Sequence, residues 1–277
     1  MRPAVVLSAA RSRMRIAVWR NSGSGRAYDD VRLAGAYQRG NEMPEGSLRA
    51  WVELIGSFTP RSAPAVVEIG AGTGMFCAGM ARWRRASLVV GVDPSTAMLA
   101  QAQRFNGYEG VNYVGGSAEA VPVRGQLFDL ALLSRVIHHL PDRRACAQEL
   151  IRVLRPGGAV VIRTTFRERL DGLVYDYWPR LREIDAERFP GRHEVLADFT
   201  ACGFSVLETT SFAQPVTAGL REYHARMVTR PQSKFVHLTD TEFRSGLQRL
   251  EADTAAEPLT QPCPVFERYD VVVLTPS

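Results

Sequence analysis

The sequence predicts an α/β fold in which helices cover both faces of a mostly parallel sheet. Short apolar runs alternate with longer amphipathic stretches along most of the chain, and this alternation is typical of parallel strands joined by crossover helices. The apolar runs are hydrophobic on both sides, as strands buried within a parallel sheet are. The 277 residues, 45% of them apolar, suffice for one large domain with added segments.

Apolar periodicity and breaker residues give the elements in order. Residues 28–58 are predicted to be helical, because Trp51, Val52 and Ile55 recur at helical spacing, and the breaker TPRSAP follows at 59–64. The predicted strands are 65–70, 87–93, 111–116, 128–135, 159–166, 204–212 and 265–274. The predicted helices between them are 75–83, 96–105, 143–155 and 192–202, the third of which is ended by Pro156-Gly157-Gly158.

Two segments interrupt the alternation of strand and helix. Residues 167–191 mix aromatic and charged side chains, and residues 214–262 are expected to be mostly helical. We interpret both as insertions in a single domain that spans residues 28–277. We expect residues 1–27 to be a partly disordered extension, within which Met14 is a second candidate start.

The composition favours some classes of partner over others. The net charge is +5 and the pI about 9.3, but the arginines are scattered without interleaved aromatics, and Lys234 is the only lysine. Small anionic substrates are therefore at least as well supported as nucleic acid. Four cysteines without a C-x-x-C pair predict no metal site. No run approaches the roughly 20 apolar residues of a membrane span, and the N-terminal apolar run is too short for a secretion signal, so we expect a cytoplasmic protein.

A glycine-rich turn follows the first predicted strand, in the stretch VVEIGAGTGMF at 66–76. A dinucleotide fingerprint requires G-x-G-x-x-G, but here the third glycine comes one position early and Met75 stands in its place. A phosphate-binding P-loop requires a lysine that is missing from the turn. The remaining alternatives are a ligand without pyrophosphate and a purely structural turn. Glu68 ahead of the turn favours a cationic ligand over an anionic one.

Polar residues stand at the ends of the next predicted strands. Asp93 follows the second strand and can accept both hydroxyls of an unphosphorylated ribose, while Ser117 and Glu119 follow the third. The stretch SRVIHH at 134–139 follows the fourth. Open α/β sheets bind ligands at the carboxyl ends of their strands, so these residues are expected to meet at one site.

The chain resembles the class I S-adenosylmethionine-dependent methyltransferases of the small-molecule type, the group that contains the ubiquinone and menaquinone C-methyltransferases. The matching stretches cover residues 65–165 in the family's order: VVEIGAGTG, VVGVDPSTAML, GGSAEAVP, FDLALLSRVIHHL and ELIRVLRPGG. The resemblance implies a Rossmann-like, doubly wound, seven-stranded sheet with an antiparallel last strand and helical lid insertions. It also implies S-adenosylmethionine as cofactor and S-adenosylhomocysteine as its product.

The resemblance assigns roles position by position. The glycines let the backbone approach the methionine portion and the ribose, and residues after the third strand approach the adenine. Ser117 stands where the family usually has aspartate, so the contact with the adenine amine is weaker or comes from elsewhere. The implied cofactor-binding residues are Glu68, Gly70, Ala71, Gly72, Gly74, Asp93, Pro94, Ser95, Ser117, Ala118, Glu119, Ser134 and Arg135, with Tyr28, Tyr37 and Arg39 in the N-terminal lid segment.

Candidates for catalysis and acceptor binding follow from the same strand ends. His138 and His139 are candidate general bases, since a histidine of near-neutral pKa suits that role; the alternative is a packing or cofactor-pocket role. The candidate acceptor-binding residues are Thr165, Phe166, Tyr175, Tyr177, Trp178 and His193. The aromatics among them have the alternative role of burying the insertion on the domain.

The sequence thus predicts methyl transfer to a small organic molecule at O, N or C, by a monomer or a homodimer. One alternative is an RNA or tRNA methyltransferase, which the basic pI alone supports. Another is a non-catalytic protein that binds S-adenosylmethionine. The arginine-rich, lysine-poor composition is associated with high-GC bacterial genomes, where such enzymes tailor secondary metabolites.

Overall fold

The computed structural model describes residues 43–277, apart from the side chain of Ser233. The predicted extension at 1–27 and the first part of the predicted lid segment lie outside the described residues. The chain within them begins with helix α1, Glu45–Ser57. Its apolar face buries Trp51, Val52 and Ile55 against the sheet, as the helical spacing predicts.

Seven strands form one sheet in the described part of the chain, in the order β3-β2-β1-β4-β5-β7-β6. All neighbouring pairs are parallel except those made by β7, which runs antiparallel to β5 and β6. The predicted doubly wound sheet with an antiparallel last strand is therefore confirmed. The strands are β1 Ala65–Ile69, β2 Leu88–Asp93, β3 Val111–Gly115, β4 Phe128–Ser134, β5 Leu154–Thr164, β6 Phe204–Thr217 and β7 Val265–Pro276.

Helices lie on both faces of this sheet. Those that connect the parallel strands are α2 Met75–Trp83, α3 Thr96–Phe105, α4 Arg143–Val153 and α7 Arg192–Thr200. Those of the two inserted segments are α5 Val174–Tyr177, α6 Pro179–Arg188, α8 Leu220–Met227 and α9 Asp240–Ala256. Short 3₁₀ turns span Ile137–His139 and Ser233–His237. No helix within residues 43–277 has both the length and the hydropathy needed to cross a membrane.

The sheet buries a separate apolar cluster on each face. Val67 and Ile69 of β1 point into the cluster beneath α4 and α7, whereas Val66 points into the one beneath α1 and α2. Each side chain of this size, once fully buried, contributes roughly 1.5–3 kcal/mol. Since both faces of the central strands are apolar, the strand ends are where polar groups can gather.

Two predicted boundaries are wrong. Strand β6 continues to Thr217, whereas residues from 214 onward were expected to be helical, because its pairing with β7 extends through two register shifts. The Pro156-Gly157-Gly158 stretch does not simply end a helix at 155. Helix α4 stops at Val153, and the stretch lies inside β5, between the pairs that β5 makes with β4.

The two inserted segments pack on each other. Their side chains form a third apolar cluster, in which Trp178 stacks on Phe243 with ring centroids 5.6 Å apart. The Trp178 indole N–H donates to the Phe243 carbonyl oxygen at 3.0 Å, so its polar atom is satisfied. The insertions thus form one body over the carboxyl ends of β4 and β5 and the amino end of the antiparallel β7.

Candidate active site

The glycine-rich turn between β1 and α2 adopts a backbone that only glycine adopts easily. Gly70, Gly72 and Gly74 have φ values of +69°, +54° and +80°. A Cβ on Gly74 would also overlap the Tyr113 hydroxyl, and one on Gly70 would lie 2.5 Å from a Val136 methyl. The turn therefore brings bare backbone to the edge of the sheet, where a ligand can approach it.

A first cavity of about 870 Å³, partly open to solvent, lies against this turn. Its floor is formed by the ends of β1, β4 and β5, and β6, β7 and α8 cover it. Six of the predicted cofactor-binding residues line it, namely Glu68, Gly70, Ala71, Gly72, Ser134 and Arg135. Gly74 does not line it, although its neighbours in the turn do. Arg39, Tyr28 and Tyr37 lie outside the described residues.

Glu68 and Arg163 bring two buried ionisable groups into the first cavity. Burial raises the pKa of Glu68 to about 8, so its carboxyl is mostly protonated at neutral pH, and it accepts a hydrogen bond from the Cys77 thiol at 3.0 Å. Arg163 is 2% exposed, and burial lowers its pKa. Neither forms a salt bridge within the described residues.

Aromatic rings surround the Arg163 guanidinium. Its central carbon lies 3.7 Å from the Tyr269 ring centroid, 4.5 Å from that of Trp51 and 5.5 Å from that of Phe76. It donates to Gln214 Oε1 at 2.9 Å and to Ser134 Oγ at 3.3 Å, while its Nε has no hydrogen-bond partner. The groups that contact this buried cation directly are neutral, and the Glu267 carboxylate acts on it without a salt bridge. Such a cation is costly to bury unless an anion enters the cavity.

Asp93 braces the glycine turn from the end of β2. One carboxylate oxygen accepts the Gly72 backbone N–H and the other accepts that of Ser95, both at 2.8 Å. The Ser95 hydroxyl caps α3 by accepting the Met98 N–H at 3.2 Å. Asp93 and Ser95 therefore order the turn and the helix beside the cavity, although neither lines the cavity itself.

The residues predicted to border the adenine lie beside β2 and β3, outside the first cavity. Pro94 is exposed, Ser117 is half-buried and forms an isolated bridge with Ala120, and Ala118 is buried. The buried Oε1 of Glu119 has no hydrogen-bond partner. An unpaired buried carboxyl oxygen at this position can accept a hydrogen bond from a ligand amine.

A second cavity, enclosing about 760 Å³ with some open solvent, adjoins the first. The two share four lining residues, Arg135, Gln232, Glu267 and Tyr269. Its remaining walls come from the end of β5, the Ile137–His139 turn, and the inserted segments. Besides the shared Arg135, the predicted residues that line it are His138, Thr165 and Tyr175.

The two predicted bases lie beside each other, with His138 half-buried and His139 exposed at its surface. The His138 ring lies 4.0 Å from that of His139 and 4.6 Å from that of Phe189, measured between centroids. Burial, then His139 and nearby arginines, lowers the pKa of His138 to about 2; burial and Arg188 lower that of His139 to about 4. Both rings are therefore neutral at neutral pH, and His138 Nδ1 has no hydrogen-bond partner.

The other predicted acceptor residues lie away from both cavities. Phe166 is buried in the sheet's apolar cluster, Tyr177 donates to Asp253 at 2.8 Å, and Trp178 packs on Phe243. His193 is exposed on α7. The aromatics Tyr177 and Trp178 hold the insertions together, which is the alternative role considered for them.

Several cavity residues had no assigned role from the sequence. They are Gln214, Gln232, Lys234, Glu267 and Tyr269, together with Arg188 and Asp185 of the first insertion. Most come from β6, β7 and the insertions, where no motif marks them. The one available signal was Lys234, because it is the only lysine in the chain.

The profile of a protein family described as the methyltransferase domain matches residues 67–162. Among curated proteins, the chain is 31% identical over 156 residues to a demethylmenaquinone methyltransferase of Roseiflexus castenholzii. That alignment covers 55% of this chain and 65% of the relative. It is also 28% identical over 163 residues to a tRNA U34 carboxymethyltransferase of Saccharophagus degradans, and this alignment covers 56% of the chain and 49% of that relative. The chain thus spans less than two thirds of these relatives' lengths.

Among solved structures, the chain superposes on a protein of Anabaena variabilis assigned as a methyltransferase from an antibiotic biosynthesis pathway. The TM-score is 0.68 at 23% sequence identity, and the match covers 82% of this chain and 96% of that one. A likeness at this identity establishes the fold. The matching family segment runs from β1 to β5 and contains the glycine turn, Asp93, Glu119 and the two histidines.

Proposed function

Since the chain belongs to the class I S-adenosylmethionine-dependent methyltransferase family through residues 67–162, we propose that it is an enzyme that methylates a small organic molecule at O, N or C. The first cavity is proposed to hold the cofactor, and the second, which adjoins it, the methyl acceptor. The curated relative that acts on a demethylmenaquinone supports a small, partly apolar acceptor.

The observation that carries this proposal is the pair of buried ionisable groups in the first cavity, Glu68 and Arg163, that form no salt bridge within the described residues. The methionine end of the cofactor bears an ammonium and a carboxylate. Glu68 can take the ammonium and Arg163 the carboxylate, because both line the cavity and neither has a salt-bridge partner among the described residues. Burying ionisable groups without a salt bridge costs stability, and a neutral ligand would not offset that cost.

The rest of the cofactor fits the strand ends. The positive-φ glycines admit the ligand close to the backbone, and Asp93 can accept hydrogen bonds from ribose hydroxyls with its remaining lone pairs. Glu119 Oε1, which has no partner, can accept the adenine amine. That contact would supply what Ser117 lacks in place of the family's aspartate.

When bound, S-adenosylmethionine supplies a methyl group already activated on a sulfonium. The chain's own residues are then required mainly to align the acceptor and to exclude water. The insertions provide the enclosure, since they cover the ends of β4, β5 and β7 with a packed apolar cluster. A general base is needed only for acceptors that hold their proton at neutral pH.

Calorimetric titration with S-adenosylhomocysteine tests the cofactor site. The wild type is expected to bind it, and Asp93→Ala to weaken binding by about 100-fold, since two charge-assisted hydrogen bonds that order the turn are lost. Asp142→Ala is the matched control. Asp142 also accepts two backbone N–H groups, those of Arg144 and Ala145, but at the start of α4. Absence of binding by the wild type at concentrations on the order of tens of micromolar would refute the proposal.

Incubation with labelled S-adenosylmethionine tests the acceptor class. Phenols, amines, organic acids and bulk tRNA are each supplied as acceptors. The label is expected to appear in a small molecule. The pI of about 9.3 and the tRNA-modifying relative support RNA as the second candidate, and label retained by RNA would establish it. Cofactor binding without any transfer would favour the non-catalytic alternative.

We also propose a single domain over residues 28–277, a monomeric or homodimeric state, and a cytoplasmic location. These rest on the sequence alone. Limited proteolysis, light scattering and cell fractionation test them in turn.

A further inference from the structure

The second cavity contains the chain's only lysine, and its position is unusual for so arginine-rich a protein. Thirty-four residues are lysine or arginine, and Lys234 is the one that is not arginine. Its side chain is 15% exposed and lines the cavity. A lysine ammonium is a compact point charge with three rotatable donors, whereas an arginine presents a broad planar fork.

Lys234 is held by a buried carboxylate and a phenol. Its Nζ donates to Asp185 Oδ2 at 3.0 Å and to the Tyr175 hydroxyl at 3.2 Å, and that hydroxyl donates to the same Asp185 oxygen at 2.9 Å. Two of the three ammonium donors are thereby used. Asp185 is 0% exposed, and its other oxygen has no hydrogen-bond partner. Burial lowers the pKa of Lys234, and the neighbouring Asp185 carboxylate opposes that shift.

Both charged and apolar side chains line the second cavity. Its basic lining residues are Arg135, Arg188, Lys234 and Arg268, against the acidic Asp171, Asp185 and Glu267. Apolar surface comes from Val174, Phe189 and the rings of Tyr175 and Tyr269.

We propose that the acceptor is an aromatic or otherwise apolar molecule bearing one acidic oxygen, a phenolate or carboxylate, and that Lys234, positioned by Asp185 and Tyr175, binds that oxygen. The third ammonium donor is the group that makes the contact. The apolar wall takes the body of the molecule. This inference rests on the proposed function, because it places the acceptor in the cavity that adjoins the cofactor site.

Fragment binding to the full chain saturated with S-adenosylhomocysteine tests the inference. Benzoate and 4-nitrophenolate are the anionic probes, and benzamide is the neutral isostere of benzoate. The wild type is expected to bind the anions about tenfold more tightly than benzamide, as one charge-assisted contact implies. Equal binding of benzoate and benzamide would overturn the inference.

Variants then separate binding from folding. Lys234→Met is expected to abolish the preference for benzoate while S-adenosylhomocysteine affinity is unchanged. If it fails to fold because Asp185 loses its partner, the double variant Lys234→Met with Asp185→Asn removes both charges and serves instead. Asp185→Asn alone is expected to weaken benzoate binding, because Asp185 orients the ammonium and opposes the lowering of its pKa by burial.

The matched control is Arg180→Met, which removes a positive charge from α6 outside the cavity. Arg180 is exposed and pairs with Glu242 at 2.6 Å, so benzoate binding should not change. Unchanged benzoate preference in Lys234→Met would overturn the inference even if cofactor binding holds. Failure of the wild type to bind S-adenosylhomocysteine would instead refute the proposed function.

Discussion

The two cavities differ in what forms their walls. The first is bounded by strand ends and by a glycine turn whose backbone conformation limits the residues that fit there. The second is bounded largely by side chains of the two inserted segments, which pack through their own apolar cluster. The first therefore depends on backbone geometry, and the second on the identity of individual side chains.

The cavities also differ in how they hold charge. In the first, Arg163 is buried among neutral partners, and Glu68 is mostly protonated. In the second, Lys234 is paired with Asp185 at 3.0 Å. A cation without a counter-ion favours an anionic ligand far more than a paired one does, because the ligand relieves an existing cost. Substitutions in the first cavity should consequently have the larger effects on binding.

The largest effect is expected for Arg163→Met. Loss of a charge-assisted contact of about 1.5–3 kcal/mol should weaken S-adenosylhomocysteine binding by about 10- to 100-fold. The ligand 5′-methylthioadenosine has no amino acid portion, so its affinity should be unchanged. Removal of an unpaired buried cation should also raise the Tm of the unliganded protein by about 2 °C or more. Calorimetry and thermal melts measure the three quantities.

Arg155→Met is the contrasting variant. Arg155 is paired with the buried Asp129 at 2.8 Å, far from the glycine turn. Its removal should lower the Tm, because the buried Asp129 carboxylate loses a partner. The affinities for both ligands should be unchanged. If Arg163→Met weakened the binding of S-adenosylhomocysteine and of 5′-methylthioadenosine equally, Arg163 would support the cavity without contacting the carboxylate.

A smaller and pH-dependent effect is expected for Glu68→Gln. Because the folded pKa is about 8 and the ordinary value is 4.5, the folded state binds the extra proton between these pH values. Stability of the unliganded wild type should therefore fall as pH rises from 4.5 to 8, by an amount of the order of a few kcal/mol. Glu68→Gln should abolish this slope and weaken S-adenosylhomocysteine binding at pH 8 by about tenfold.

The exposed pair of Glu53 with Arg49 provides the control, since Glu53→Gln should leave the pH slope intact. Urea unfolding at several pH values measures the slope. A slope that persists in Glu68→Gln would assign the proton to another group and would remove the basis for placing the cofactor's ammonium at Glu68.

The same contrast explains what the sequence can predict. Helices α2 and α3 have the bounds expected from sequence, because Gly74 and Ser95 mark their starts through local backbone and capping chemistry. The far end of β6 was missed, since Gln214 and Thr217 belong to the strand only through pairing with β7. Local signals thus predict the elements around the first cavity, whereas the second cavity depends on contacts between distant segments.

Arg163 illustrates the limit within the site itself. In the sequence it is one arginine of many at the end of a strand. Its importance comes from Trp51, Gln214 and Tyr269, which three distant segments bring around it. No spacing rule relates these positions, so the cage could not be derived from the chain alone.

The smallest effect is expected for His138→Leu. A general base contributes about 10²–10⁴-fold and works best with a pKa near the working pH. The pKa of His138 is about 2, so its ring is a weak base, and its Nδ1 already has no partner. Turnover of an accepted probe should therefore change by no more than about threefold between pH 6 and 9. Carbon-13 spectra of labelled histidines should show a His138 signal that does not move between pH 5 and 8. A His138 signal that titrates near neutrality, or a hundredfold loss of turnover in the variant, would instead show that His138 acts as a general base. Function of the second cavity would then depend on proton transfer as strongly as binding in the first depends on charge.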